Sequence, residues 1–198
     1  MKVKPKKAVI IIEDDEIAFD SIKSIISDDY PNDKQKYNDG HTFENFRKIL
    51  QNALSVKHTE PDEPEKSRKL LLEELKSYCG KNEEPVYLID FLLFRDEYDN
   101  SVNGIHFHKF IHQELYKDKK VPSLFITAAV KDDLARVKNY CEKEINDKQV
   151  CHYEPKYNDW NDEIFKKSII DFIGKAQSKP LEEQKDEPLK LEDAFKND

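Results

Sequence analysis

Residues 8–17 read AVIIIEDDEI. Five apolar residues run without interruption into a run of acids that begins Glu13, Asp14, Asp15. An unbroken apolar run of this length suits a strand covered on both faces, as in a parallel sheet flanked by helices. The charge that follows then needs a reason, because it falls at the mouth of the core.

Three further runs share the pattern: PVYLID (85–90), PSLFIT (122–127) and QVCHY (149–153). Between them lie stretches with apolar residues at helical spacing. Ala18, Ile22, Ile25 and Ile26 mark 16–28, and Phe43, Phe46, Ile49, Leu50 and Leu54 mark 42–55. Phe107, Phe110, Ile111 and Leu115 mark 104–116, Leu134, Val137 and Cys141 mark 131–145, and Ile164, Phe165, Ile169, Phe172 and Ile173 mark 161–174. A polar strand is expected at KQKYN (34–38), where its polarity fits a sheet edge. Strand and helix alternate five times, which predicts an α/β doubly wound parallel sheet with helices on both faces.

Two segments exceed a five-unit fold. In 56–84 a polar loop leads into KSRKLLLEELKSYC, whose Leu71, Leu72, Leu75, Tyr78 and Cys79 predict a helix inserted before the third strand. This helix either only extends the core or docks a partner through its outer face. Residues 175–198 are rich in Lys, Glu, Asp and Pro and are expected to form a flexible charged tail after a domain spanning 1–174.

Bulk properties narrow the function. A net charge of −8 argues against nucleic acid or an anionic membrane as partner. The start MKVKPKK lacks the apolar region of a signal peptide, and no apolar run approaches membrane-spanning length. Cys79, Cys141 and Cys151 are odd in number and lack metal-type spacing, as expected for reduced thiols in a cytoplasmic protein.

Ligands of open α/β sheets bind beyond the carboxyl ends of the strands. The residues there are Glu13, Asp14 and Asp15 after the first strand and Asp90 at the end of the third. Thr127 and Ala128 end the fourth, and Lys156 follows the fifth. Clustered carboxylates repel one another, and a hard divalent cation such as Mg²⁺ relieves that repulsion. A carboxylate can also attack phosphorus to give an aspartyl phosphate, with a cation and a lysine neutralising the transferring oxygens.

In VIIIEDD, VYLIDFLL, NGIHFHKFI, VPSLFITA and YEPK, taken in that order, the chain resembles a response-regulator receiver domain of two-component signalling. The resemblance spans about 8–174 and implies a flavodoxin-like sheet of order 2-1-3-4-5. It implies a stand-alone receiver in which Glu13, Asp14 and Asp90 hold Mg²⁺. Asp90 would be the phosphoacceptor, Thr127 the switch hydroxyl, Lys156 the phosphate contact and Tyr153 the switching aromatic. A histidine kinase or phosphotransfer protein would donate the phosphoryl group. Output would pass to an unidentified downstream protein, or the phosphate would be stored or relayed. Leu92 and Ala129 stand where the family tunes attack by water, which implies slow self-dephosphorylation. Self-phosphorylation and that slow reversal are the only catalysis expected. The chain departs from the pattern at Tyr157, where the family has proline, and in a long loop FRDEYDNSV after Asp90.

Plainer readings stand beside these. Asp14 and Asp15 could cap the first helix, and Asp15 is the better fit to that role. His108 and His112 are spaced to bind zinc from one helix face, but no third ligand is evident, so solvated helix histidines are expected. Two rival functions remain: a degenerate receiver that only binds protein, and a metal-dependent phosphohydrolase. The phosphohydrolase pattern needs an acid two residues past the nucleophile, where this chain has Leu92.

Overall fold

Side chains alternate across a strand, so a strand apolar at every position must be covered twice. A computed structural model describes residues 6–27, 29, 49–50, 53, 63–80, 83–93, 103–117, 119–127, 131–145, 151–155, 163–176 and 179–180. It contains a four-stranded, all-parallel open sheet in the spatial order β1 (Lys6–Ile12), β2 (Glu83–Asp90), β3 (Ser123–Thr127), β4 (Cys151–Pro155). Ile12 pairs with Ile89, Asp90 with Ile126, and Thr127 with Pro155, so all four strands end at one edge. The segment 34–38, expected as an edge strand, lies outside the described residues.

Successive residues of each strand enter opposite cores. Val9, Ile11, Val86, Leu88, Leu124 and Ile126 pack on α1 (Glu16–Ile26) and α5 (Glu163–Lys175). Ile10, Ile12, Tyr87, Ile89 and Phe125 face α2 (Glu63–Ser77), α3 (Gly104–Phe110) and α4 (Lys131–Asn139). Fully burying each such aliphatic or aromatic side chain contributes about 2 kcal/mol. Helix α1 starts because the Asp15 carboxylate accepts from the Ala18 amide at 2.8 Å, and it ends where the Ser27 amide turns back to the Ser24 carbonyl. Helix α2, the expected insertion, joins the core through Leu71, Leu75 and Tyr78. Residues Leu50 and Ala53, helical and buried, belong to that same face.

Order continues past the expected domain end at 174. Ala176 is buried, its carbonyl accepts a hydrogen bond from the Lys7 ammonium, and Lys179–Pro180 pair antiparallel with Lys119–Lys120. Lys7 also pairs with Glu84, so one lysine ties β1, β2 and the end of α5 together at the amino edge. Backbone pairing made by three lysines and a proline leaves no periodic signal in side chains, which is why composition reads the stretch as tail. Residues 181–198 lie outside the described set.

The histidines of α3 correct the sequence expectation. His108 is 1 % exposed rather than solvated, and its Nδ1 lies 2.6 Å from the Tyr140 hydroxyl. The helix widens to i→i+5 bonding over Ile111–Leu115, closed by the Tyr116 amide on the Ile111 carbonyl. Tyr140, at the end of α4, covers the His108 ring edge-on. Burial, aided by His112 and Lys109, holds the His108 imidazole well below its ordinary pKa. Burial and Lys120 lower His112 as well, against hydrogen bonding from its ring to the backbone carbonyls of Lys119 and Val121, which raises it.

Both groups therefore refuse protons that the unfolded chain accepts near pH 6.5. Their contribution to stability is complete above pH 6.5 and falls as the pH drops below it. Urea midpoints at pH 7.5 and 5.5 should show the protein weaker at 5.5, with a flatter slope in His108→Phe. An unchanged slope in that variant would assign the effect to other groups.

Candidate functional site

Because β1 and β2 are neighbours in register, the residues that leave them emerge side by side. Glu13 follows Ile12, the partner of Ile89, and so stands next to Asp90. Glu13 is 1 % exposed, Asp90 is 5 % exposed and Asp14 is half-buried. One carboxylate oxygen from each lies within 4.8 Å of the other two. The acid run after β1 is thus divided by function. The Glu13 Oε1 atom accepts from the amides of Asp14 and Asp15 at 3.2 and 3.3 Å, which folds its carboxylate back over the loop. Asp15 turns outward to cap α1.

Asp90 is held from its carboxyl side. Its Oδ2 accepts from the Leu92 amide at 3.0 Å, while Phe91 and Leu93 bury their side chains and anchor the turn. The Arg136 guanidinium of α4 covers the Phe91 ring at 5.7 Å. Helix α3 then begins directly against this turn. The Gly104 amide donates to the Phe91 carbonyl at 2.9 Å, and a Cβ on Gly104 would stand 2.4 Å from the Asp90 carbonyl oxygen. Only glycine permits that approach. Asn103 caps the helix, its Oδ1 accepting from the amides of Ile105 and His106, while His106 Nδ1 accepts from the Asn103 amide.

Of the residues singled out in the sequence, Glu13, Asp14 and Asp90 are brought together. Thr127 closes β3 one position beyond Ile126, the partner of Asp90. Tyr153 lies on β4 opposite Phe125 and is half-buried against the α2, α3 and α4 core. Lys156, Tyr157, Ala129 and the loop 94–102 lie outside the described residues. The sequence reading missed Gly104 as the residue that sets the Asp90 backbone. An Asn-Gly pair opening a helix was the available signal.

Two large apolar side chains flank this edge on the α1 and α5 face. Ile17, in the first turn of α1, is 77 % exposed, and Ile164, at the start of α5, is 78 % exposed. The two helices touch one another.

The donor set consists of hard carboxylate oxygens, two of the three groups being buried beside a like charge. Such a set suits a hard divalent ion that keeps several waters, as Mg²⁺ does, better than a thiol- or imidazole-seeking metal. Among the described residues no helix is long and apolar enough to cross a membrane. Compared with protein families, with curated proteins and with solved structures, the chain finds no match in any of the three.

Proposed function

We propose that the protein is a receiver of phosphoryl groups on Asp90, assisted by Mg²⁺ held by Glu13, Asp14 and Asp90. The observation that carries this reading is the convergence of those three carboxylates at the carboxyl edge of adjacent parallel strands. The finer fold in this reading is a five-stranded sheet of order 2-1-3-4-5. The chain supports it by changing faces: α1 packs on one core, and Leu50, Ala53 and α2 on the other. In this reading a polar edge strand at 34–38 would lie beside β1, on the route between them.

In the reaction, an Asp90 oxygen forms a bond to phosphorus as the bond from phosphorus to the donor atom breaks, and the donor keeps the electron pair. The bound cation supplies charge neutralisation on the phosphoryl oxygens. The Leu92 amide fixes the carboxylate through Oδ2 during attack. Lys156 contacts the phosphoryl group, and Thr127 and Tyr153 report its arrival, in the roles that the resemblance implies. Leu92 and Ala129 position no water, so the acyl phosphate decays slowly. Output passes through contact with another protein.

Intact mass tests this directly. With Mg²⁺ and a small acyl phosphate or phosphoramidate, the wild type should gain one phosphoryl group and Asp90→Asn none. A wild type that gains nothing under any of these conditions would replace this reading with that of a protein-binding module. Steady hydrolysis of a phosphate ester would favour the phosphohydrolase.

Ile17 and Ile164 flank the phosphoacceptor edge and suit a docking histidine kinase or phosphotransfer protein. Buried apolar contacts at the centre of an interface often contribute 2 kcal/mol or more. Ile17→Glu should therefore slow phosphotransfer from a histidine-phosphorylated protein by about tenfold or more, at an unchanged rate with the small donor. Equal slowing with both donors would place the effect in the site rather than in docking.

A further inference from the structure

Away from the acidic edge, α3 holds two imidazoles whose arrangement the phosphoryl site does not use. The His108 and His112 rings lie 4.3 Å apart between centroids, one helical turn from each other. The Nε2 atoms of both are buried and have no hydrogen-bond partner among the described residues. Leaving one such atom bare costs about 1–3 kcal/mol, and two side by side call for a common partner.

The other nitrogen of His108 is engaged, Nδ1 meeting the Tyr140 hydroxyl at 2.6 Å. At His108 this is the outer-shell pattern of metal-binding histidines, in which a bond at one nitrogen fixes the tautomer and presents the lone pair of the other. The helix also widens to i→i+5 bonding from Ile111, between the two rings in sequence.

We infer that His108 and His112 form a second cation site, in which both Nε2 atoms ligate a borderline divalent transition ion of the Zn²⁺ class. Water completes the coordination on the side of His112, which is only partly buried. Neutral imidazoles suit this class and not Mg²⁺, so the two sites of the molecule sort by metal. Neither depends on the other.

The test is titration of chelator-treated protein with Co²⁺ as a spectroscopic probe and then Zn²⁺, in millimolar Mg²⁺ to occupy the acidic edge. One equivalent should bind and raise the melting temperature by several degrees. His112→Gln should lose both effects, whereas Asp14→Asn and His106→Gln should keep them. Binding that survives His112→Gln, or no binding to wild type, would overturn the proposal. If His112→Gln does not fold, the imidazole ¹⁵N resonances of the wild type decide. Addition of Zn²⁺ should shift Nε2 of both His108 and His112, and unshifted resonances would reject the site.

Discussion

Gly104→Ala should lower stability by about 3 kcal/mol, at the upper end of ordinary overpacking, or about 10 °C in melting temperature for a chain of this size. The cause is local and rigid. The new methyl carbon would stand 2.4 Å from the Asp90 carbonyl oxygen and 2.9 Å from Ile89 Cγ2. The first is backbone of a central strand, held on both sides by pairing with β1 and β3. Neither α3 nor the strand end can yield cheaply, because the Gly104 amide is bonded to the Phe91 carbonyl and Asn103 caps the helix at the same point. Whatever movement occurs displaces the turn that carries Asp90, so Mg²⁺ affinity should fall together with stability. Gly80→Ala is the control. Its Cβ would meet the flexible end of Glu83 at 3.3 Å, and the change should be close to neutral. Equal losses in the two variants, read by thermal denaturation with and without Mg²⁺, would show that the close approach at Gly104 is not what positions Asp90.

The same residue marks how far the sequence could be read. The strands were legible because burial on both faces forces apolar residues at every position, as in Val9–Ile12 and Val86–Ile89. The acids at the strand ends were legible because parallel strands place those ends at one edge. His108 was not, because its burial depends on Tyr140, distant in sequence. A helical wheel drawn at 3.6 residues per turn assigns it to the flank of the apolar stripe. Gly104 was visible as a letter but not as a contact, since the need for a missing side chain arises only when a helix abuts a strand.

Asp14→Asn should reverse its effect on stability with the cation present. Two unit charges within 4.8 Å of one another repel by about 3 kcal/mol or more at an effective dielectric constant near 20. Asp14 is half-buried, so solvent screening reduces its share, and removing its charge should stabilise the cation-free protein by about 1 kcal/mol. The variant also loses one of three oxygen ligands, and its Mg²⁺ affinity should fall about tenfold or more, equivalent to about 1.4 kcal/mol. Wild type at a Mg²⁺ concentration 100 times its dissociation constant gains about 2.7 kcal/mol, and a variant that binds tenfold more weakly gains about 1.4 kcal/mol. Urea midpoints should therefore rank the variant above wild type in chelator and below it in excess Mg²⁺. Glu13→Gln makes a useful companion, because its amide oxygen can still accept from the Asp14 and Asp15 amides while the charge is gone. A destabilised Asp14→Asn under both conditions would mean that the carboxylate is neutralised by the protein itself, and the acidic edge would then lose its claim to a cation. If the ranking crosses, the acids after Ile12 are a repulsion that only a cation relieves. Their place at the end of a buried strand then follows, because the rigidity of β1 and β2 keeps the three groups from moving apart.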